Sequence, residues 1–242
     1  MKITSRDNPK VKHWTKLAGD GRYRRSKGRA LIEGPHLVEA ARQAGVKIHS
    51  ILVSEEANGD AIVLSERVFA AIVEAETPQG IAAEISIPVA KGIHGDSVFL
   101  EGVQDPGNVG AIIRSAAAFG VKNVVLDSAC ADPWSPKALR AGMGGHFNLL
   151  ISMPGSLEDE LARFAGRILC TVPRGGTALA KADLSGAVAW IFGSEGKGVS
   201  EEAAKHADLR VTIPMAGGGE SLNVAASAAI CFYEQSRQRG DS

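Results

Sequence analysis

Residues 98–127 read VFLEGVQDPGNVGAIIRSAAAFGVKNVVLD, and the fold turns on how they are read. An apolar run, VFLEGV (98–103), breaks at the Gly-containing polar stretch QDPGNVG. Small apolar residues then follow at helical spacing over about 108–119, and a second apolar run, NVVLD (123–127), closes the segment. Short continuous apolar runs on either side of a helix mark strands covered on both faces, as in a parallel sheet. The rhythm recurs downstream. RILCTV (167–172), AVAWIFG (187–193) and LRVTIP (209–214) read as strands, with helices near 156–165 and 200–207 and a last apolar helix over about 221–236. From residue 98 onward the pattern predicts an α/β unit built on a parallel sheet.

Upstream the pattern is that of a smaller mixed α/β unit. IEGPHLVEAARQAG (32–45) has apolar residues at helical spacing and ends on Gly45, a C-terminal stop signal. IHSILVS (48–54) and GIAAEIS (80–86) read as strands, and SERVFAAIVEAE (65–76) as a helix opened by Ser65. IPVAKGIHGDS (87–97) has no clear period. The expected division is therefore 1–90, a linker over 91–97, and 98–242.

The chain of 242 residues is 45% hydrophobic and 22% charged, enough to bury a core without staples. Three scattered cysteines, Cys130, Cys170 and Cys231, form no CxxC pair, which argues against a disulfide framework or a metal site and fits a reducing cytoplasm. No apolar run approaches the ~18 residues needed to span a membrane. The net charge of zero hides an asymmetry: the first thirty residues carry ten Lys or Arg against only Asp7 and Asp20. With Trp14 and Tyr23 interleaved, this basic segment suits RNA, through Lys10, Lys12, Arg22, Arg24, Arg25, Lys27 and Arg29. A solvated basic arm is the plainer alternative.

In parallel sheets ligands collect beyond the C-terminal ends of strands. Three loops there are rich in Gly and polar residues, beginning at Gln104, Gly193 and Pro214. In the first, Asn108 is a candidate helix cap, and Arg114 sits in an apolar helix with no acid in the segment to pair with. It either reaches the surface or binds an anion. The second, FGSEGKGVS (192–200), does not match GxxxxGK[ST], because Gly198 follows Lys197. Glu195 is either a cap for the next helix or a functional carboxylate. The third, IPMAGGGESLNVAASAA (213–229), runs through Gly217, Gly218 and Gly219 to Ser221 and Asn223, which suit capping or a site equally.

In this order and spacing, NVGAIIRSAAAFG (108–120), FGSEGKGVS (192–200) and IPMAGGGESLNVAASAA (213–229) resemble the SpoU/TrmH family of knotted SPOUT methyltransferases. SRDNPKVKHWTKLA and RYRRSKGRALIEG, near the N-terminus, look like the L30e-like substrate-binding domain of the rRNA-directed branch. The resemblance implies a C-terminal trefoil knot that holds S-adenosylmethionine, with Gly193, Ile213, Met215 and Leu222 at the cofactor. It places a polar catalytic set on Asn108, Arg114, Glu195, Ser221 and Asn223. It also implies a homodimer through the knotted domain, with both protomers lining the site. One departure falls in SPKALRAGMGGHF (135–147), where relatives typically have Ser at the position of Gly142, while Arg140 and Gly144 remain.

The implied reaction is methyl transfer to a ribose 2′-hydroxyl, in large-subunit rRNA ahead of tRNA, with no metal required. Family proposals make Arg114 a general base. Guanidinium groups hold their proton tightly, so clamping a phosphate beside the target ribose is the alternative role. Two further classes stay open at this point: a non-catalytic RNA-binding relative, and a nucleotide- or NAD-dependent enzyme, the latter lacking both GK[ST] and GxGxxG.

Overall fold

The computed structural model describes residues 2–55, 60–75, 77–90, 92–217 and 221–240. In chain order the first half contains α1 (Pro9–Gly19), α2 (Gly21–Lys27), β1 (Arg29–Glu33), α3 (Pro35–Gln43), β2 (Ile48–Val53), β3 (Ile62–Val63), α4 (Glu66–Phe69) and β4 (Ile81–Ser86). The sheet order is β1-β4-β2-β3, antiparallel except for the β2/β3 pair. One alternative falls here, and two expectations need correction. The basic segment is folded, because Asn8 caps α1 and Asp20 caps α2 through the N–H groups of Arg22 and Tyr23. The helical reading of 32–45 overran a strand, since Gly34 at φ 94° turns the chain between β1 and α3, with Pro35 at the first helical position. The helix read over 65–76 is a single turn, α4, and Glu76 lies outside the described residues.

Trp14 is a core residue rather than a stacking platform for RNA. Its indole N–H donates to Glu84 at 3.0 Å within a fully buried cluster that includes Leu17, Leu52 and Phe69. Glu84 also accepts from His13 and Arg29. Burial pushes the Glu84 carboxyl up, but the bonds from Arg29, His13 and Trp14 outweigh it and hold the group below the usual carboxylate range.

The second half contains β5 (Ser97–Glu101), α5 (Pro106–Ala118), β6 (Asn123–Leu126), α6 (Pro136–Gly142), β7 (Leu150–Ser152), α7 (Leu157–Arg163), β8 (Arg167–Thr171), β9 (Thr177–Ala178), β10 (Val188–Gly193), α8 (Glu201–Ala204), β11 (Leu209–Thr212) and α9 (Val224–Arg239). Its seven strands run in the order β7-β6-β5-β10-β8-β11-β9, and every pair is parallel. The α/β reading with a parallel sheet and a smaller mixed unit therefore describes the molecule. From β5 the chain builds outward through β6 and β7 on one side. On the other side it builds through β10, β8 and β11. The C-terminal ends of β5 and β10 thus flank the reversal in strand order where open α/β sheets take their ligands.

The two units pack against each other through one apolar cluster that joins Ile32, Leu37 and Val38 to Val109, Ile113 and Leu139. A buried ion pair adds to this contact. Arg24 meets Asp132 at 2.8 Å and also donates to the carbonyls of Leu17 and Ala18 at 2.6 and 2.7 Å. Arg24 is therefore committed inside the protein, which corrects its place among the RNA-contacting residues. Arg29 likewise spends its guanidinium on Glu84.

Candidate active site

The N-cap of α5 is Asp105, whose side chain accepts from Gly107 N–H, with Pro106 at the first helical position. Asn108 is therefore inside the helix, not its cap, and its side chain takes no part in capping α5. Similarly, Ser200 caps α8 by accepting from Ala203 N–H, and Glu101 takes the Ser200 N–H. Glu195 is thereby released from capping. Asn223 does cap α9, with Oδ1 accepting from Ala225 N–H at 2.9 Å and Ala226 N–H at 3.2 Å. Ser221 does not.

These assignments fix a polar relay across all three loops. Because Asn223 Oδ1 faces two helix N–H donors, its Nδ2 is the atom turned towards Asn108, donating to Asn108 Oδ1 at 3.1 Å. Asn108 Nδ2 must then be the group that donates to Glu195 Oε1. The orientation of both amides follows from the helix end and needs no further assumption. Among the described residues no donor reaches the second oxygen of Glu195.

Beside this relay opens a cavity of about 530 Å³, lined by Gly193, Ser194 and Glu195 from the end of β10, by Val172 from beyond β8, and by Ile213, Met215, Ser221 and Leu222. All four residues expected at the cofactor and two of the polar set, Glu195 and Ser221, line it. Gly218 and Gly219, singled out in the third loop, lie outside the described residues. Gly193 is demanded by close backbone approach: a Cβ there would fall 1.9 Å from the Gly198 carbonyl oxygen, where the loop folds back in a Ser194–Gly198 bridge. Leu222 is left 38% exposed, a large apolar side chain facing a partly polar cavity. A partly apolar cavity walled by a glycine-rich loop fits an adenosyl group. The wall beyond β8 was not anticipated, although CTVPRGG after a strand carried the same Pro/Gly signal as the other loops.

Arg114 is elsewhere. It is exposed on α5, and among the described residues it has no ion pair or hydrogen bond. Glu195 bonds Asn108 and not Arg114. Lys10, Lys12, Arg22, Arg25 and Lys27 are exposed on α1 and α2. Lys16 and Lys27 each stand 5.6 Å from the Tyr23 ring centre. Among the described residues no helix is long and apolar enough to cross a membrane, and no three His, Cys, Asp or Glu side chains are grouped to hold a metal ion.

Comparison with known proteins places this geometry in context. The model of the SpoU rRNA Methylase family matches residues 97–233, and that of the MRM3-like substrate binding domain matches residues 8–83. The chain is 38% identical to the 23S rRNA (guanosine(2553)-2'-O)-methyltransferase RlmP of Bacillus subtilis, over 96% of this chain and 97% of that protein. It is 28% identical to the 23S rRNA (uridine(2479)-2'-O)-methyltransferase of Streptomyces viridochromogenes, over 98% and 92%. Among solved structures, the SpoU methyltransferase AviRb from Streptomyces viridochromogenes in complex with AdoMet aligns with a TM-score of 0.86 at 26% identity, covering 97% of this chain and 99% of that one. An AdoMet-bound rRNA methyltransferase from Sinorhizobium meliloti aligns with a TM-score of 0.87 at 26% identity, covering 98% of each.

Proposed function

Because the chain belongs to the SpoU rRNA methylase family, we propose that it transfers a methyl group from S-adenosylmethionine to a ribose 2′-hydroxyl of 23S ribosomal RNA. The observation that carries this reading is the convergence of the loops after β8, β10 and β11 on one cavity beside the reversal in strand order, with the Asn223–Asn108–Glu195 relay tying the first loop to its wall. Gly193, Ile213, Met215 and Leu222 hold the cofactor in this reading. Bound there, S-adenosylmethionine supplies a methyl group already activated on a sulfonium centre.

The protein's own task is then to position the hydroxyl and manage its proton. Holding two reactants in line supplies ~7–11 kcal/mol of a bimolecular barrier. The relay orients Glu195 so that its open oxygen accepts a bond from the ribose, with Ser221 beside it at the cavity wall. Arg114 clamps the phosphate next to the target ribose and offsets negative charge developing on the 2′-oxygen.

Arg114 does not open on the cavity of its own chain, and this supports a homodimer through the knotted domain in which each protomer lends its Arg114 to the other's cofactor. Ala226, Ile230, Tyr233 and Arg237 form an exposed stripe on α9, and the Tyr233 ring meets that of Phe119, the residue that ends α5, at 6.0 Å. That stripe is the surface we assign to the dimer. The C-terminal trefoil knot belongs to the same reading, as does the division into an L30e-like RNA-binding unit over 1–90, a linker and a methyltransferase unit over 98–242. Lys10, Lys12, Arg22, Arg25 and Lys27 attract the RNA backbone, and phosphate contacts of this kind carry little sequence information. The protein works in the cytoplasm, where ribosomal RNA is available to it.

Mapping ribose methylation across cellular RNA, with and without the gene, tests the assignment. One 2′-O-methyl site in 23S rRNA is expected to disappear. A lost site in tRNA alone would move the substrate, and no lost site would overturn the function.

A further inference from the structure

A second hollow, of about 330 Å³, lies where the two units meet. α3 contributes His36 and Ala40, α5 contributes Arg114, Ala117 and Ala118, the turn after α6 contributes Gly142 to Gly145, and Asn148 closes one side. The glycines let the turn lie flat between the two helices. A Cβ on Gly145 would sit 3.2 Å from Arg114 Cα, and one on Gly144 would sit 3.1 Å from Ala40 Cβ.

Met143 is the residue in this turn that needs explaining. It is the sole non-glycine residue with positive φ among the described residues, at 47°, and it ends α6 where glycine is the usual choice. Gly142, Gly144 and Gly145 surround it, yet this one position carries a long side chain, and that side chain is 47% exposed. Burial does not repay the backbone strain, which points to a contact outside the chain. His36 adds a directed polar group. Its Nε2 lies 3.2 Å from the Met143 carbonyl. A carbonyl only accepts, so Nε2 carries the hydrogen, and in the neutral ring Nδ1 is left as an open acceptor. Arg114, which has no ion-pair partner among the described residues, brings a positive charge to the rim.

We infer that this hollow binds one unpaired nucleotide of the RNA substrate, next to the ribose that is methylated. The base lies on the Met143 thioether above the small-residue floor. An amino group on its edge donates to His36 Nδ1, and its phosphate pairs with Arg114. His36 and Met143 are thus RNA-positioning residues, and the nucleotide is read by both units at once. The inference rests on the RNA methyltransferase reading given above.

The test uses the full-length protein, unmethylated transcripts of large-subunit rRNA, and four readouts: kcat, KM for RNA, calorimetric affinity for S-adenosylmethionine, and thermal stability. Met143→Gly removes the side chain while suiting the backbone, so folding is preserved. It is expected to raise KM for RNA by ~10-fold, the scale of losing one stacked base, with cofactor affinity unchanged and Tm not lowered. His36→Ala is expected to act in the same direction, and His36→Gln, which keeps a donor and an acceptor, to stay closer to wild type. An unchanged KM for RNA in Met143→Gly overturns the nucleotide assignment and leaves the methyltransferase reading standing. A Met143→Gly protein whose dimer dissociation shifts while its KM for RNA does not would assign the hollow to a second copy instead, and also overturns it. A wild-type protein that methylates no RNA refutes both.

Discussion

Acidification should weaken the fold through one histidine. His146 is fully buried, its Nε2 donates to the Pro133 carbonyl at 2.8 Å, its ring packs 5.3 Å from Trp134, and its Nδ1 has no partner. Burial pushes its pKa down to about 4 from the ordinary 6.5. Between those values the unfolded chain binds a proton that the folded chain refuses. The stabilisation is therefore complete above 6.5 and is lost as the pH falls towards 4. The whole interval corresponds to about 3 kcal/mol, of which about 2 kcal/mol is lost between roughly pH 7.5 and pH 5. Urea unfolding of wild type and His146→Leu at the two pH values isolates this contribution, since other titrating groups act equally on both proteins. Wild type is expected to lose about 2 kcal/mol more than the variant. Equal losses would refute the claim that a neutral, half-unpaired imidazole sits in this core.

The same imidazole accounts for the missing serine. A Cβ on Gly142 would fall 2.3 Å from His146 Cε1, so Gly142→Ser should destabilise by ~1–3 kcal/mol, and adding His146→Ala should recover part of that in a double-mutant cycle by thermal unfolding. Asn223→Ala should cost about 1 kcal/mol of stability as a lost cap, whereas Asn223→Asp keeps the cap. Both remove the donor that orients Asn108, so steady-state assays should show kcat lower by roughly 10-fold to 100-fold in each. Arg24→Ala should cost ~3 kcal/mol in denaturant unfolding, because it strands Asp132 inside the domain contact. Lys10→Ala should leave stability within ~0.5 kcal/mol while lowering the salt dependence of RNA binding in a titration series, as loss of one phosphate contact requires.

The parallel sheet was legible because its central strands are long apolar runs separated by helices. The strands that escaped notice for their length are β7 and β9, edge strands of three and two residues, and the two-residue β3, all too short to show a period. β1 was hidden for another reason. Its residues Leu31 and Ile32 join smoothly onto the apolar positions of α3, and only the turn at Gly34 separates them. α6 carried readable signals, Ser135 as cap and Pro136 at its first position, that were not read as a helix start. At the site, the three loops were visible as Gly and polar residues at strand ends. The bonds among Asn108, Glu195 and Asn223 were not, because they span 87 and 115 residues of sequence and depend on which residue caps each helix. The hollow around Arg114 lay further out of reach, since His36 and Ala40 come to it from α3 and it exists only once the two units have docked.

Alkaline hydrolysis distinguishes ribose 2′-O-methylation of RNA at the loop-lined cavity from methylation of a base. A labelled methyl group is passed from S-adenosylmethionine to a 23S rRNA transcript by the wild-type protein and by Arg114→Ala, and the RNA is then digested with alkali. A 2′-O-methyl group blocks cleavage at its own phosphate. Label is expected in alkali-stable dinucleotides with wild type, with a loss of roughly 100-fold or more in the folded variant. Label released as base-methylated mononucleotides, or undiminished transfer by Arg114→Ala, would contradict that expectation.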